Sequence, residues 1–433
     1  MKKLLTLSVA ILASSLSNAA DLSTIYQQAA SNDAQIAAAR ATREANSYNV
    51  GTARGALLPQ ANISYSQTEV DGESAGQDFD YDQAQLQIQA SQTLFNLNAW
   101  YTYQAASSGD EAAALQLQLA EQQLLLRTAQ SYFNVLRAKD NLSAAQAEEK
   151  AVKRSLEQTK QRFDVGLIAI TDVHEAQAGY DLTAVNLLGQ EASLDISYEA
   201  LEQLTGQRFD TVSPLRDDVS LEMPQPTQVE PWVESGLAKY VGLRLAETNK
   251  DAVRLQRNAT RSNHLPTVKL IGSYSDGDQF MPTAGGTVDT TSTAIGFQVS
   301  MPLLAGGSLY SQSKQAAKQY AASEYQLEGE RRNMKQNIRS LFRKVKTDVL
   351  NVKARKQAIV SAESALEATQ TGYKVGTRNI VEVLNAQRTL YQAQRDYANA
   401  RYDYIQDLLN LKFFAGTLNE KDIQQLNGWL AQG

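Results

Sequence analysis

The residue types that carry covalent or metal chemistry are scarce in this chain of 433 residues. It has no Cys, which removes disulfides, thiol nucleophiles and Cys-based metal sites. Its two His, His174 and His264, have no partner at ligand spacing. No GxSxG, GxGxxG, Walker or HExxH pattern occurs. The expectation is no enzyme, no cofactor and no metal. The polar groups worth following sit instead in a stretch that the chain writes twice. Tyr373 to Gln387 reads YKVGTRNIVEVLNAQ, and 210 residues earlier Phe163 to Gln177 reads FDVGLIAITDVHEAQ. Six positions are identical: Val165/Val375, Gly166/Gly376, Ile170/Ile380, Val173/Val383, Ala176/Ala386 and Gln177/Gln387. Asp172 and Glu382 match in charge, and an acid in a helix's first turn faces the positive end of the dipole. Asn379 with Glu382 three residues on spells a capping box.

The elements that hold these groups are helices. In both copies a long helical pattern runs up to Val-Gly, breaks and restarts, and Gly suits the φ > 0 position that ends a helix. Each copy is therefore the tight turn of a helical hairpin, carried by a repeat of about two hundred residues. The helices leading in, Asn98 to Phe163 and Leu309 to Tyr373, contain no Pro and few Gly. At 1.5 Å per residue each is on the order of 100 Å long. Heptad-like stripes run along them: Leu115, Leu119, Leu126, Ala129, Phe133 and Leu136 in the first, Met334, Ile338, Leu341, Val345, Val349, Val352 and Ile359 in the second. Such stripes seat one helix on a neighbour. The returning helices run to Gly206 and Gly416. Asp21 to Leu57 reads as one helix before the first long one, and Trp232 to Asn263 repeats its role. Between the repeats, Gln207 to Pro231 holds Pro214, Pro224, Pro226 and Pro231, half of the eight prolines, and reads as a linker. The expected organisation is a signal peptide 1–19, repeat 1 over 20–206, linker 207–231, repeat 2 over 232–416, and a tail 417–433 without an interpretable motif.

The N-terminus predicts export. Lys2 and Lys3 precede the apolar run Leu4 to Leu16 and the small-residue site Ser17-Asn18-Ala19. Cleavage is expected after Ala19, with Ala20 as the alternative. Removing the two lysines takes the formal charge from −6 to about −8, unsuited to nucleic acid. No later run of eighteen apolar residues offers a transmembrane helix, so membrane entry would require a β-barrel. Strand patterns are present. Asp82, Ala84, Leu86, Ile88 and Ala90 alternate with Gln83, Gln85, Gln87, Gln89 and Ser91, an apolar face opposite an unbroken polar one. That is how a barrel strand looks with lipid outside and a wet lumen inside. A half-buried soluble strand alternates too, but Phe95, Trp100, Tyr101 and Tyr103 suit an interfacial aromatic girdle. Ala61 to Gln67 alternates as well, with Asp71 to Asp80 expected as an acidic loop between the two strands. The second repeat offers Thr267 to Tyr274, then a loop with Asp276, Gly277, Asp278, Gly285 and Gly286. Thr293, Ile295, Phe297, Val299 and Met301 then alternate with Ala294, Gly296, Gln298 and Ser300. Ile271 falls on the polar side and breaks the pattern.

Four strands cannot close a membrane barrel, which needs about eight or more. An open edge in lipid leaves backbone groups without partners. Copies must therefore share a barrel: two chains supply 8 strands, three 12 and four 16. The doubled motifs QRFDVGLIAITDV and GYKVGTRNIVEVL, the LPQ and LPT strand starts and the GTLNEKDIQQLN tail resemble the TolC family of outer-membrane efflux channels. The resemblance covers essentially the whole mature chain. It implies a mixed α and β membrane protein: four strands per chain in a shared 12-stranded trimeric β-barrel, continuous with a long α-helical coiled-coil tunnel in the periplasm. It implies a homotrimer in the Gram-negative outer membrane with no nucleic-acid partner. It further implies a periplasmic adaptor (membrane fusion) protein and an inner-membrane efflux pump or ABC secretion transporter as partners, for drug efflux and type I protein secretion. The family's gate network carries over onto Thr171, Asp172, Tyr373 and Arg378, and its pore constriction onto Glu382 and Asn385, of which only the first is acidic. Contact with the adaptor carries over onto the turns Val165-Gly166-Leu167 and Val375-Gly376-Thr377. Gln83, Gln85, Gln87 and Gln89 are expected to face the lumen. The alternative of another class is a structural periplasmic coiled-coil adaptor.

Overall fold

Asp33 ends one helix and begins the next. The computed structural model describes residues 19–74, 77–281 and 286–431. All of the expected signal segment except Ala19 lies outside the described residues. The single helix expected over Asp21 to Leu57 is instead α1 (Leu22–Asn32) followed by α2 (Ala34–Gly55). The Asp33 N–H donates to Ala29 O at 2.8 Å and closes α1. Its carboxylate accepts from the Ile36 N–H at 2.9 Å and its carbonyl from the Ala37 N–H at 3.1 Å, opening α2. A short acceptor side chain of this kind satisfies helix-end donors that would otherwise be orphaned.

The chain forms two compact units. The first comprises Met1–Ala37, Ala120–Tyr240 and Met334–Gly433, and the second Ala38–Leu119 and Val241–Asn333. The long helices α3 (Leu97–Asp164) and α7 (Ser308–Lys374) contribute to both. In the first unit they are joined by their returning partners α4 (Ile170–Thr205) and α8 (Ile380–Phe414). The heptad residues Leu126, Ala129, Phe133 and Leu136 of α3, and Met334, Ile338, Val345 and Val349 of α7, are buried. Each large apolar side chain taken from water contributes about 1.5–3 kcal/mol. Two buried tyrosines cross-link this core by hydroxyl. Tyr132 donates to Ser213 O and Tyr402 to an Asp140 carboxylate oxygen, both at 2.6 Å. The Pro-rich segment after α4 is docked through buried Val212 and Leu215. It bridges Ala20 on one side and Leu430 on the other before α5 (Glu230–Lys239) begins. The tail holds an element that was not expected, α9 (Glu420–Asn427), started by an Asn419/Asp422 capping box. Asn427 donates to Asp21 at 2.8 Å, tying the tail to the start of α1.

In the second unit α2 from Ala38 onward, the start of α3, the whole of α2's counterpart α6 (Val241–Ser262) and the start of α7 accompany one antiparallel sheet. Its order is β1 (Gln60–Ser74), β2 (Gln77–Phe95), β3 (Thr267–Met281), β4 (Gly286–Ser300). The strands run on through what the sequence suggested were loops. Asp71 pairs with Asp80 and Glu73 with Asp78, while Asp276, Gly277 and Asp278 pair with Thr291, Thr290 and Asp289. Residues 75–76 and 282–285 of those expected loops lie outside the described residues. Ladder hydrogen bonds use backbone groups, so acidic side chains and a glycine did not stop them. The register sorts the faces. Ile63 faces Ile88 and Tyr65 faces Leu86 in one row, while Asn62, Ser64, Ser66 and Thr68 face Gln89, Gln87, Gln85 and Gln83 in the other. The polar row continues into β3, where Gln89 meets Ser273 and Gln87 meets Ser275, and Ile271 opposite Ser91 interrupts it. On the apolar face Ile63, Ile295, Phe297 and Val299 are 66%, 81%, 74% and 65% exposed. No described helix is long and apolar enough to cross a membrane.

Candidate functional site

The two hairpin turns have the same backbone. Gly166 and Gly376 sit at φ 76° and 82°. In the first turn the Gly166 N–H donates to Phe163 O at 2.8 Å and the Leu167 N–H to Arg162 O at 2.9 Å. In the second the Gly376 N–H donates to Tyr373 O at 3.2 Å and the Thr377 N–H to Gly372 O at 2.9 Å. This is the paired-bond stop of the Schellman motif, and its left-handed residue is why glycine is there. Nothing lies within 4 Å of where a Cβ would be at either glycine, so the requirement is conformational rather than steric. Val165, Leu167 and Val375 stand about two-thirds exposed at the tips, and Thr377 returns its hydroxyl to Gly372 O at 3.1 Å. The restart differs between the copies. Asn379 and Glu382 form the expected capping box for α8, whereas Ala169 opens α4 without a side-chain cap.

Tyr373 is fastened to α3. Its ring joins a buried cluster with Val152, Leu156, Ala176, Ile380, Val383 and Leu384. The Arg162 guanidinium lies 4.6 Å above the ring centroid and donates to the Tyr373 carbonyl at 3.0 Å. A cation over an aromatic face adds electrostatic attraction to the hydrogen bond. The Tyr373 hydroxyl lies 3.4 Å from that of buried Thr159. Arg378, in the turn before α8, reaches forward to that helix's first turn and pairs with Glu382 at 2.5 Å. That hydrogen bond, followed by the one from the Asn379 backbone, holds the Glu382 carboxyl below the ordinary carboxylate range. Gly372 makes room for this arrangement, because a Cβ there would fall 2.7 Å from Arg378 Cγ. Asp172 is half-buried and Thr171 exposed in the first turn of α4, and neither side chain has a hydrogen-bond or ion-pair partner among the described residues. Within one chain, then, no hydrogen bond or ion pair among the described residues joins the four expected as one network: Tyr373 is tied to α3, Arg378 to Glu382, and Thr171 and Asp172 to neither. Asn385 is exposed one turn beyond Glu382, with no side-chain partner among the described residues. Gln83, Gln85, Gln87 and Gln89 line the polar face of the sheet in the other unit.

Sequence reasoning missed Arg162 and Thr159. The signal lay in comparing the copies position by position. Arg162 matches Gly372, Phe163 matches Tyr373 and Ile168 matches Arg378, so the repeats diverge at the residues that interact.

Residues 25–207 and 232–417 match the family of outer membrane efflux proteins. The chain belongs to this family. Its members are channels, so the protein is an outer-membrane efflux channel of the Gram-negative envelope and not an enzyme. The outer membrane protein TolC of Vibrio cholerae serotype O1 is 38% identical over 435 residues, covering 99% of each chain. The proteases secretion protein PrtF of Dickeya chrysanthemi is 28% identical, covering 93% of this chain and 90% of its own. A crystal structure of CusC superposes with a TM-score of 0.80 at 16% identity and covers 92% of each chain, a likeness of fold.

Proposed function

We propose that three copies of this chain close a single 12-stranded barrel whose interior carries the Gln83, Gln85, Gln87 and Gln89 row. The helices form a periplasmic tunnel. The observation that carries this reading is the four-stranded sheet with an exposed apolar face and two outer strands, β1 and β4, that each pair on one side only. In hydrocarbon the unpaired backbone groups of such edges have no water to bond, and neighbouring copies supply the partners. Three sheets leave a lumen that two would fill with side chains. The duct serves tripartite drug efflux and type I secretion, with an adaptor seated on the exposed tips Val165-Gly166-Leu167 and Val375-Gly376-Thr377. An inner-membrane pump or ABC transporter feeds it.

The tips are its gate. The Thr171 and Asp172 side chains have no partner among the described residues of their own chain, so their polar groups are available to Tyr373 and Arg378 of a neighbouring copy. A charge-assisted clasp of that kind is directional and breaks when one helix pair moves. An adaptor that prefers splayed tips shifts the population towards the open state in an iris-like movement. Single-channel conductance in planar bilayers tests this. The Tyr373→Phe, Arg378→Ser double variant is expected to conduct severalfold more than wild type. An unchanged conductance would retain the channel and remove the gate.

A further inference from the structure

Behind the second tip lies a cavity of about 360 Å³, walled by α3, α7 and α8. Its apolar side is built from Tyr373, Ile380 and Val383, and its rim carries Arg154 and Lys374. No carboxylate lines it, and neither cation has a carboxylate partner among the described residues. At its inner end is Gln387, 3% exposed, whose Oε1 is buried without a hydrogen-bond partner. The Ser155 hydroxyl donates to Ala151 O at 3.2 Å, so it accepts from Gln387 Nε2 at 3.0 Å, and the carbonyl end is left over. The repeat supplies an internal control. Gln177, the same residue in the first copy, donates to Asp181 at 2.9 Å and accepts from Lys160 at 3.3 Å, so both ends of its amide are used. A buried acceptor without a donor is costly, and native proteins rarely keep one idle.

We propose that this cavity binds a small organic monoanion, and that its occupancy holds the channel shut. The site asks for three things: a carboxylate or similar anion for Arg154 and Lys374, a flat apolar body against the Tyr373 side, and an O–H or N–H to donate to Gln387 Oε1. The volume is at the small end of the range for ligand pockets, about 300–1,000 Å³, and fits a single-ring compound. Arg154 belongs to α3, Lys374 to α7 and Gln387 to α8. A ligand touching all three ties these helices together beside Tyr373, and it binds the tied arrangement better than a splayed one. This second consequence rests on the gate described above, whereas binding itself does not.

The probe is 4-hydroxybenzoate, titrated calorimetrically into the detergent-purified full-length protein, with neutral 4-hydroxybenzamide as control. The carboxylate is expected to bind at least tenfold more tightly than the amide. Arg154→Gln should remove that preference. Gln387→Leu should weaken binding severalfold with an unchanged or raised melting temperature, since Leu deletes the orphaned carbonyl at similar volume. No heat of binding up to the order of 10 mM, equivalent to negligible affinity, overturns the proposal. So does binding that both variants leave intact. Conductance with the probe present then reads the coupling, where a fall of severalfold in open probability is expected. If the Tyr373→Phe, Arg378→Ser variant opens the pore while a bound probe leaves the wild type unchanged, the coupling is overturned. If that variant changes nothing, it is the gate that fails, and the titration still decides the site.

Discussion

Asn385 and Glu382 stand one helical turn apart on the exposed side of α8, and only one of them is charged. That one already has a cation, since Glu382 pairs with Arg378. In the proposed trimer, three Glu382 carboxylates compensated in this way should attract multivalent cations weakly, because attraction scales with the net charge presented to the pore. Adding a second acid at the neutral position should change this. Asn385→Asp is expected to tighten block by a trivalent cation by about tenfold, or 1.4 kcal/mol, read from conductance against blocker concentration. Unchanged block would move the constriction elsewhere. The Arg378–Glu382 pair also carries its own pH sign. A carboxylate held below its ordinary range in the folded state keeps its stabilisation above that range and loses it as pH falls through the lowered value. The pair is therefore intact at neutral pH and released only in acid.

At the scale of elements, the contact between α7 and α8 contains a repulsion that the heptad pattern does not show. Asp348 of α7 faces Asp403 and Asp407 of α8, with Lys344 on its own helix, while Arg137 of α3 takes Asp403 at 2.7 Å. Burial first, and then the charges of Asp407 and Asp403, push the Asp348 carboxyl up to about 6. An acid raised in the folded state holds a proton there that the unfolded chain has already released. Stability therefore falls as pH rises from the ordinary carboxylate range to about 6, and the penalty is complete above it. Asp348→Asn cannot ionise. It should raise the melting temperature by a few degrees at about pH 8, with the gain gone by about pH 4. A gain that persists in acid would assign the effect to packing rather than charge. Much of this helix pair was readable in advance, since Met334, Ile338, Val345 and Val349 repeat at the spacing that faces a neighbour and are all buried. The acids between them were not, because the sequence does not say which carboxylates α8 brings opposite Asp348.

At the scale of the whole molecule, the sheet must meet lipid on one face and water on the other. Ile295, on the apolar face, is 81% exposed, and Gln87 lies in the polar row opposite Ser64. A lysine on a lipid face costs about 2–4 kcal/mol near the bilayer midplane, and the same lysine on a lumen face costs little. Ile295→Lys is expected to prevent accumulation of a heat-resistant oligomer on unboiled gels. Gln87→Lys should assemble normally and shift reversal potentials towards anions. If both variants assemble alike, the faces have been assigned wrongly. The apolar row also has an upper limit. Past Tyr65 and Gln67 it continues as Glu69 opposite Asp82, Asp71 opposite Asp80 and Glu73 opposite Asp78. Facing like charges destabilise a pair of strands, so this end of the hairpin belongs in water, beyond the hydrocarbon.

The sequence by itself determined what depends on neighbours along the chain. Gly166 and Gly376 mark the tips because a left-handed residue ends a helix, Asn379 and Glu382 announce the restart three residues apart, and alternation at Asp82 to Ser91 sets the faces of β2. The repeat made each of these readable twice, and the TolC-family motifs lie in the same local stretches. Tertiary structure decided what depends on distant partners. Arg162 reaches Tyr373 across 211 residues, the segment around Val212 docks between Ala20 and the tail, and the acidic stretch after Val70 became strand because its partner strand continued beside it. The duplicated glutamine is the sharpest case. Gln177 and Gln387 are the same residue in the same motif, yet one has both ends of its amide bonded at the surface and the other is buried with its carbonyl unpaired. Burial is a property of what packs around a side chain, and no local pattern contains it.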